Sequence, residues 1–339
     1  MSAAVLEPIN PQSTSPLFNR IPAEIRNCIF KLALTAYDDH TKPYKNGEYY
    51  YRPGHRYAHK VDTNLLLTCR RVLAETKDIP ASINEYTCWF ARAPPWASTN
   101  GLTRLAIEDA VGVLVRHSAL KYVHLFTQQT WLEGGFTHFT DLWKSTTPTH
   151  LTITLRHSDW WWWEREAPLA LEPKYPGIPR PNVISQPSDP FDKRSWGGAF
   201  QKISGLETFV LELETVEKKK GELDAIVSRA PGWRFALHDG QVLVLDESRT
   251  TETGWLGRRL GMINVSHNLS SNILTSCIAS HPRNSDRTPF AAKERLIKEG
   301  VKFENDFLEP GLAEDQYLAY YVVKLTWFAR PAPQNLPCE

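Results

Sequence analysis

The densest group of reactive side-chain types is Arg156, His157, Ser158 and Asp159, followed at once by Trp160, Trp161, Trp162 and Trp163. His157, Ser158 and Asp159 are the types of a nucleophilic relay, in which a carboxylate orients an imidazole that takes up a hydroxyl proton. Consecutive residues of a strand point to opposite faces, so three neighbours there cannot assemble it. No Gly-x-Ser-x-Gly elbow occurs elsewhere in the chain. Eleven histidines pose a metal question. None has His-Glu-x-x-His or finger spacing, and His117, His124, His138, His150 and His157 fall on separate expected elements. Gly254, Gly257 and Gly261 lack the order, and the following Lys-Ser/Thr, of a nucleotide loop. Lys218, Lys219 and Lys220 follow Glu212, Glu214 and Glu217 closely and read as a mixed-charge solvated face. These patterns predict no cofactor, no metal and no catalytic residue.

The tryptophan run has two readings. In an extended chain Trp160 and Trp162 face one way and Trp161 and Trp163 the other. Large aromatics are core residues before anything else, which makes the run a wedge between a sheet and the Pro-rich stretch that follows. Tryptophan is also enriched at binding hot spots, which makes one pair a recognition patch for a partner protein or a flat ligand.

The chain has 339 residues, 42% of them hydrophobic, ample for one large domain or two. Thirty-nine Lys and Arg against thirty-eight Asp and Glu leave a formal charge of +1, which gives no global field toward nucleic acid or anionic lipid. Cys28, Cys69, Cys88, Cys277 and Cys338 are odd in number and scattered, with no redox or metal spacing. Cys28 and Cys69 lie on apolar stripes and read as reduced core thiols, which points to cytoplasm or nucleus. The first residues lack a basic n-region and an apolar h-region, and no run reaches membrane-spanning length.

The elements that position these residues follow from periodicity. Residues 1–16 are a Pro/Ser-rich tail. A helix opening at Pro22 carries Ile25, Cys28, Ile29 and Leu32 on one stripe and Arg26, Asn27 and Lys31 on the other side. Residues 37–60 are Tyr-rich and read as a loop or insertion; a helix over 65–76 follows, ended by Pro80, and then a strand over 86–90. Past a boundary at 93–98, helices are expected over 102–117, 131–143, 221–230 and 290–299. Strands are expected over 120–126, 151–156, 206–214, 233–237, 242–245 and 317–328. Residues 172–198 hold six prolines and form a surface loop, and 331–339 form a loose tail. The alternation predicts an α/β fold of stacked β/α units with a largely parallel sheet, akin to a degenerate leucine-rich-repeat array of uneven spacing.

One pattern resembles a known family. Leu17, Ile21-Pro22-Ala23-Glu24-Ile25-Arg26, Ile29-Phe30, and then Leu65-Leu66-Leu67-Thr68-Cys69-Arg70-Arg71-Val72 with Glu75 resemble the F-box. They are more similar still to the F-box-like N-terminus of a large group of fungal proteins. The likeness continues through Asp159 and the tryptophans, Trp196-Gly197-Gly198, residues 206–215 and Trp233. The resemblance implies an N-terminal helical module over 17–92, with its Tyr-rich insertion, followed by an irregular α/β domain over 93–330. It also implies docking on the adaptor subunit of a cullin-type ubiquitin ligase, with Leu17, Phe18, Ile21, Pro22, Ile25 and Ile29 forming or supporting the adaptor-facing surface. The rest of the chain would then choose a substrate protein, and neither nucleic acid nor membrane is an expected partner. Two other readings stay open, an enzyme with a loop-built site and a scaffold in which the helix pair is only core.

Overall fold

A computed structural model of the chain describes residues 9–90, 92–94, 120–141, 148–174, 195–260, 288–304, 308 and 311–332. The helix expected over 102–117 and most of the Pro-rich loop lie outside the described residues, as do Cys277 and Cys338. The strands are β1 Tyr37–Pro43, β2 Tyr57–Lys60, β3 Glu85–Trp89, β4 Tyr122–Phe126, β5 His150–Leu155, β6 Thr208–Val216, β7 Arg234–Ala236, β8 Gln241–Leu245, β9 Thr251–Arg258, β10 Lys302–Phe303 and β11 Tyr317–Pro331. The helices are α1 Pro16–Asn19, α2 Ala23–Ala33, α3 Arg70–Thr76, α4 Ile79–Ile83, α5 Gln129–Gly134, α6 Phe136–Asp141, α7 Lys220–Val227 and α8 Pro289–Lys298. None is long and apolar enough to cross a membrane.

Nine strands form one mixed sheet in the order β10-β9-β11-β6-β5-β4-β3, with β8 also on β11 and β7 on β8. The run β3 to β6 is parallel and follows chain order, as the alternation predicts. Parallel strands in chain order joined by right-handed crossovers place their helices on one face. That face carries the core. Val123 and Leu125 of β4, Leu151, Ile153 and Leu155 of β5, and Phe209, Leu211 and Leu213 of β6 share a single buried cluster with β11's Tyr321, Val323, Leu325 and Trp327. Trp131, Phe136, Phe139, Leu223, Ile226 and Leu296 of the helices complete it. β11 is long enough to pair antiparallel with β6 along one edge, and with β9 and then β8 along the other.

Period two then fixes what the opposite face must show. It carries Glu85, Thr87 and Trp89, then His124 and Phe126, then Thr152 and Thr154, then Val210, Glu212 and Glu214, and finally Val322 and Lys324. Residues 37–60 cover part of this face. They are more than a loop, because β1 and β2 pair as a separate two-stranded sheet. Other boundaries differ from expectation for local reasons. Pro80 does not end the second helix; it occupies the first turn of α4, where a missing N–H costs nothing. β9 escaped notice because Gly254 and Gly257 interrupt its pattern. A Cβ at Gly257 would collide with the Trp255 ring, which stacks on Tyr320 at 4.3 Å.

Asn84 ties the N-terminal helices to the sheet. Its Oδ1 accepts from Ala36 N at 2.7 Å, and its Nδ2 donates to the carbonyls of Leu34 at 2.8 Å and Pro80 at 2.9 Å. The side chain thus closes the end of α2 immediately before β3. Asn84→Ala leaves these half-buried groups unpaired and should lower unfolding free energy by about 1–3 kcal/mol in urea melts. An unchanged midpoint would show that the tie carries no stability.

Candidate functional site

The first site candidate is the N-terminal helical pair. Arg26, expected on the solvent side of α2, is buried. Its Nη1 donates to Ile21 O at 2.8 Å, and Nε and Nη2 each reach the Glu75 carboxylate at 3.3 Å. Arg71 donates to the same carboxylate at 3.1 Å. The Phe18 ring lies 4.1 Å from the Arg71 guanidinium carbon and 5.2 Å from that of Arg26. A guanidinium satisfied in this way can turn inward beside Phe30 and Leu34, and α2 rotates its other stripe outward.

That stripe is the apolar one. Ile25 is 53% exposed, Ile29 41% and Leu32 78%, with Cys28 exposed between them, so Cys28 is not a core thiol. Leu67 and Leu73, before and within α3, are exposed as well. Of the residues assigned to the adaptor-facing surface, Pro22, Ile25 and Ile29 are exposed, whereas Leu17, Phe18 and Ile21 are half-buried and support the helix from beneath.

The tryptophan run does not continue β5. Residues His157–Asp159 and Trp163–Arg165 are single 3-10 turns, and Trp162 and Glu166 have φ of 52° and 55°, so strand alternation does not apply. Trp160 is buried and donates its indole N–H to Glu214 O at 2.7 Å. Trp161 donates to the Glu133 carboxylate at 2.9 Å. Trp163 is half-buried against Tyr49 and His157. Only Trp162 stands clear, 57% exposed, with Arg165 over its ring. Asp159 serves no relay: its two oxygens hold Arg156 at 2.5 and 3.1 Å.

A second candidate lies on the sheet face opposite the core. Glu85 Oε1 is 3.0 Å from His124 Nδ1, and His124 Nε2 is 2.8 Å from Thr154 Oγ1, which donates to Glu212 Oε1 at 3.3 Å. Nη2 of Arg52 closes this line, 2.6 Å from Glu212 and 3.4 Å from Glu214. Glu214 also accepts from His157 N at 3.2 Å and from the Trp255 indole at 3.3 Å. Carboxylate, imidazole and hydroxyl stand in the order of a nucleophilic relay, but Thr154 has no exposed surface for a substrate to reach. Among the described residues no cluster of His, Cys, Asp and Glu is arranged to hold a metal.

Burial opposes the charge of both glutamates. At Glu212 the facing Arg52, together with His124, Lys324 and Thr154, outweighs it and the carboxyl sits below its ordinary range. At Glu214 burial prevails and the carboxyl sits above it. The mixed-charge solvated face expected here is therefore wrong for Glu214 and for Lys219. The latter is buried, with its Nζ on the carbonyls of Glu166 and Ala167. Period two in β6 carried the signal, since Phe209, Leu211 and Leu213 inward oblige Glu212 and Glu214 to share the other face.

Comparison with protein-family models, curated proteins and solved structures finds no match to the chain.

His55 gives this face a pH signature. Its ring packs 4.8 Å from Phe126 and 5.4 Å from His124. Burial, then the charges of His124, Arg52, His59 and Arg156, hold it well below the ordinary 6.5. Burial likewise pushes His157 down to about 4. The unfolded chain takes up these protons below about pH 6.5 while the folded chain refuses them, so stability declines as pH falls through that value. The loss per group approaches about 1.4 kcal/mol per pH unit. His55→Phe should flatten the pH dependence of the urea midpoint as pH falls below about 6.5, by at most one proton. An unaltered slope would place His55 outside the linkage.

Proposed function

We propose that this chain is a non-catalytic interaction protein whose α1 to α3 region is an F-box-like module that docks on the adaptor subunit of a cullin-type ubiquitin ligase. The β/α body, degenerate and leucine-rich-repeat-like through β3 to β6, then serves as a receptor for a substrate protein. The observation that carries the reading is the outward stripe Ile25, Cys28, Ile29 and Leu32. Isolated exposed aliphatics are ordinary, but three of them with a thiol at i, i+3, i+4 and i+7 on one helix are the face an amphipathic helix normally buries. Nothing among the described residues covers them, which disfavours the reading of the helix pair as core alone.

Covering such side chains is worth about 1.5–3 kcal/mol each before the costs of association. The resemblance of Ile21 to Arg26 to the F-box supplies the identity of the occupant. Trp162, held outward on its turn, is the natural aromatic contact of the body for a substrate. Cytosol or nucleus is the compartment this function requires.

The test is a double substitution, Ile25→Glu with Ile29→Glu. Neither side chain is buried, so the thermal midpoint should stay within a few degrees of the parent, while co-purification of the ligase adaptor from native extract should fall at least tenfold. Adaptor binding retained by the folded variant would overturn the proposal.

A further inference from the structure

Residues 37–60 sit on the sheet in an unusual way. β1 and β2 pair only with each other, so no strand of this segment is added to the main sheet. Its hold is made by side chains and one carbonyl. Tyr50 packs with Trp89 and Phe126, and Tyr51 packs beside Trp255 and Tyr320. Arg156 Nη1 donates to Tyr49 O at 2.8 Å. At the centre is the turn Arg52-Pro53-Gly54-His55, closed by His55 N to Arg52 O at 2.9 Å, with Gly54 at φ +75°. Pro followed by a positive-φ Gly is the type II pattern, a rigid tip that carries one guanidinium onto two carboxylates.

We propose that the Glu212–Glu214 pair, with the Phe126 ring beside the guanidinium it holds, is a binding site for an arginine on an extended segment of a partner protein. Arg52 occupies that site in cis until such a segment displaces it.

Three observations carry this. The seat is filled imperfectly: Nη2 makes both carboxylate contacts, and Nη1, equally buried, has no partner. A guanidinium entering from another backbone direction can present its fork to both carboxylates, which the tight turn prevents. The Phe126 ring selects arginine over lysine, since the planar group lies over it at 5.8 Å. Finally, the same face continues uncovered past the turn. Tyr122 and Lys324 are exposed there and His150, Thr152 and Val210 half-exposed, so an incoming chain can land before it competes. This deepens the receptor reading of the body and does not depend on adaptor docking.

The probe is the synthetic octapeptide Glu-Tyr-Tyr-Tyr-Arg-Ser-Val-His, which follows residues 48–55 but replaces Pro53 and Gly54 so that its single arginine, corresponding to Arg52, sits on a backbone free to extend. Hydrogen exchange on the wild-type full chain needs no variant to fold. Amides of 44–59 should exchange at least tenfold faster than those of β4 to β6, and faster again with excess peptide. Exchange of 44–59 in step with the strands, unmoved by peptide, would overturn the proposal. By fluorescence anisotropy the peptide should bind the Arg52→Met chain at least tenfold more tightly than the wild type. That gain should vanish for the peptide with alanine in place of its arginine and for Arg52→Met chains also carrying Glu212→Gln and Glu214→Gln. Equal binding of arginine and alanine peptides to a folded Arg52→Met chain would likewise overturn it. Adaptor co-purification is unaffected by either result, so failure here leaves the docking claim standing.

Discussion

A strand buried in mid-sheet that alternates Phe209, Leu211 and Leu213 with Glu212 and Glu214 imposes a condition its neighbours cannot meet. The apolar set faces the helices, and the two carboxylates face the other way, where they are largely removed from water. An uncompensated buried carboxylate costs several kcal/mol, so a cation must reach it. Just past the end of β5 the nearest one, Arg156, is already engaged by Asp159. On β11, Lys324 is in register with Glu212 but stays exposed. The cation therefore comes from outside the sheet, as Arg52 on a turn, and residues 37–60 are the length of chain needed to carry it from the end of α2 to the centre of β6. The docking of that segment and the placing of the His55 ring against Phe126 follow from this match.

The N-terminal helices solve a similar problem in reverse. Arg26 points inward because Glu75, the Ile21 carbonyl and the Phe18 ring satisfy it there, and with Arg26, Phe30 and Leu34 inside, helical geometry sends Ile25, Ile29 and Leu32 outward. The free energy of the arrangement is incomplete in one chain. Aliphatic surface is left in water while a charge is buried, and only the aliphatic part of that cost would be relieved by the docking proposed above. This physical asymmetry gives the docking proposal its force beyond the likeness of the residues.

Much of the sheet was legible because its strands announce themselves by local alternation. β4, β5, β6 and β11, with α7 and α8, fall close to where periodicity puts them, and β3 to β6 pair in parallel in chain order. What was not legible depends on contacts far apart in sequence. Nothing near Arg52 signals that its partners are Glu212 and Glu214, and next to three lysines those glutamates look solvated. β1 and β2 are polar strands with no core side, so no hydrophobic period marks them. At α2 the period was read correctly, and Ile25 and Ile29 face outward as assigned, but Cys28 on the same stripe is exposed and not a core thiol. A stripe tells which residues share a face; only the burial of Arg26 on Glu75 decides which face goes in. The tryptophans were misplaced because the chain leaves the strand at the 3-10 turn His157–Asp159 and turns again at Trp162, whose positive φ no propensity foretells.

Two kinds of joint hold the molecule together, and the difference bears on where it can move. The sheet and its helices are joined by a continuous apolar core, in which Trp327, Phe209, Trp196 and Phe200 have no exposure. The N-terminal pair is clamped internally by Arg26 on Glu75 and tied to the sheet through Asn84, and the segment 37–60 combines Arg52 on Glu212 and Glu214 with Tyr50 on Trp89 and Phe126. A buried ion pair fixes one geometry sharply but adds little net stability against a well-packed apolar contact. Such joints define a position without committing much free energy to it, and they are suited to parts that must be found in one place and yet exchange partners. Local opening draws on the weakest joints first. The surfaces proposed for recognition thus lie on segments held to the sheet by polar ties as well as by small apolar clusters.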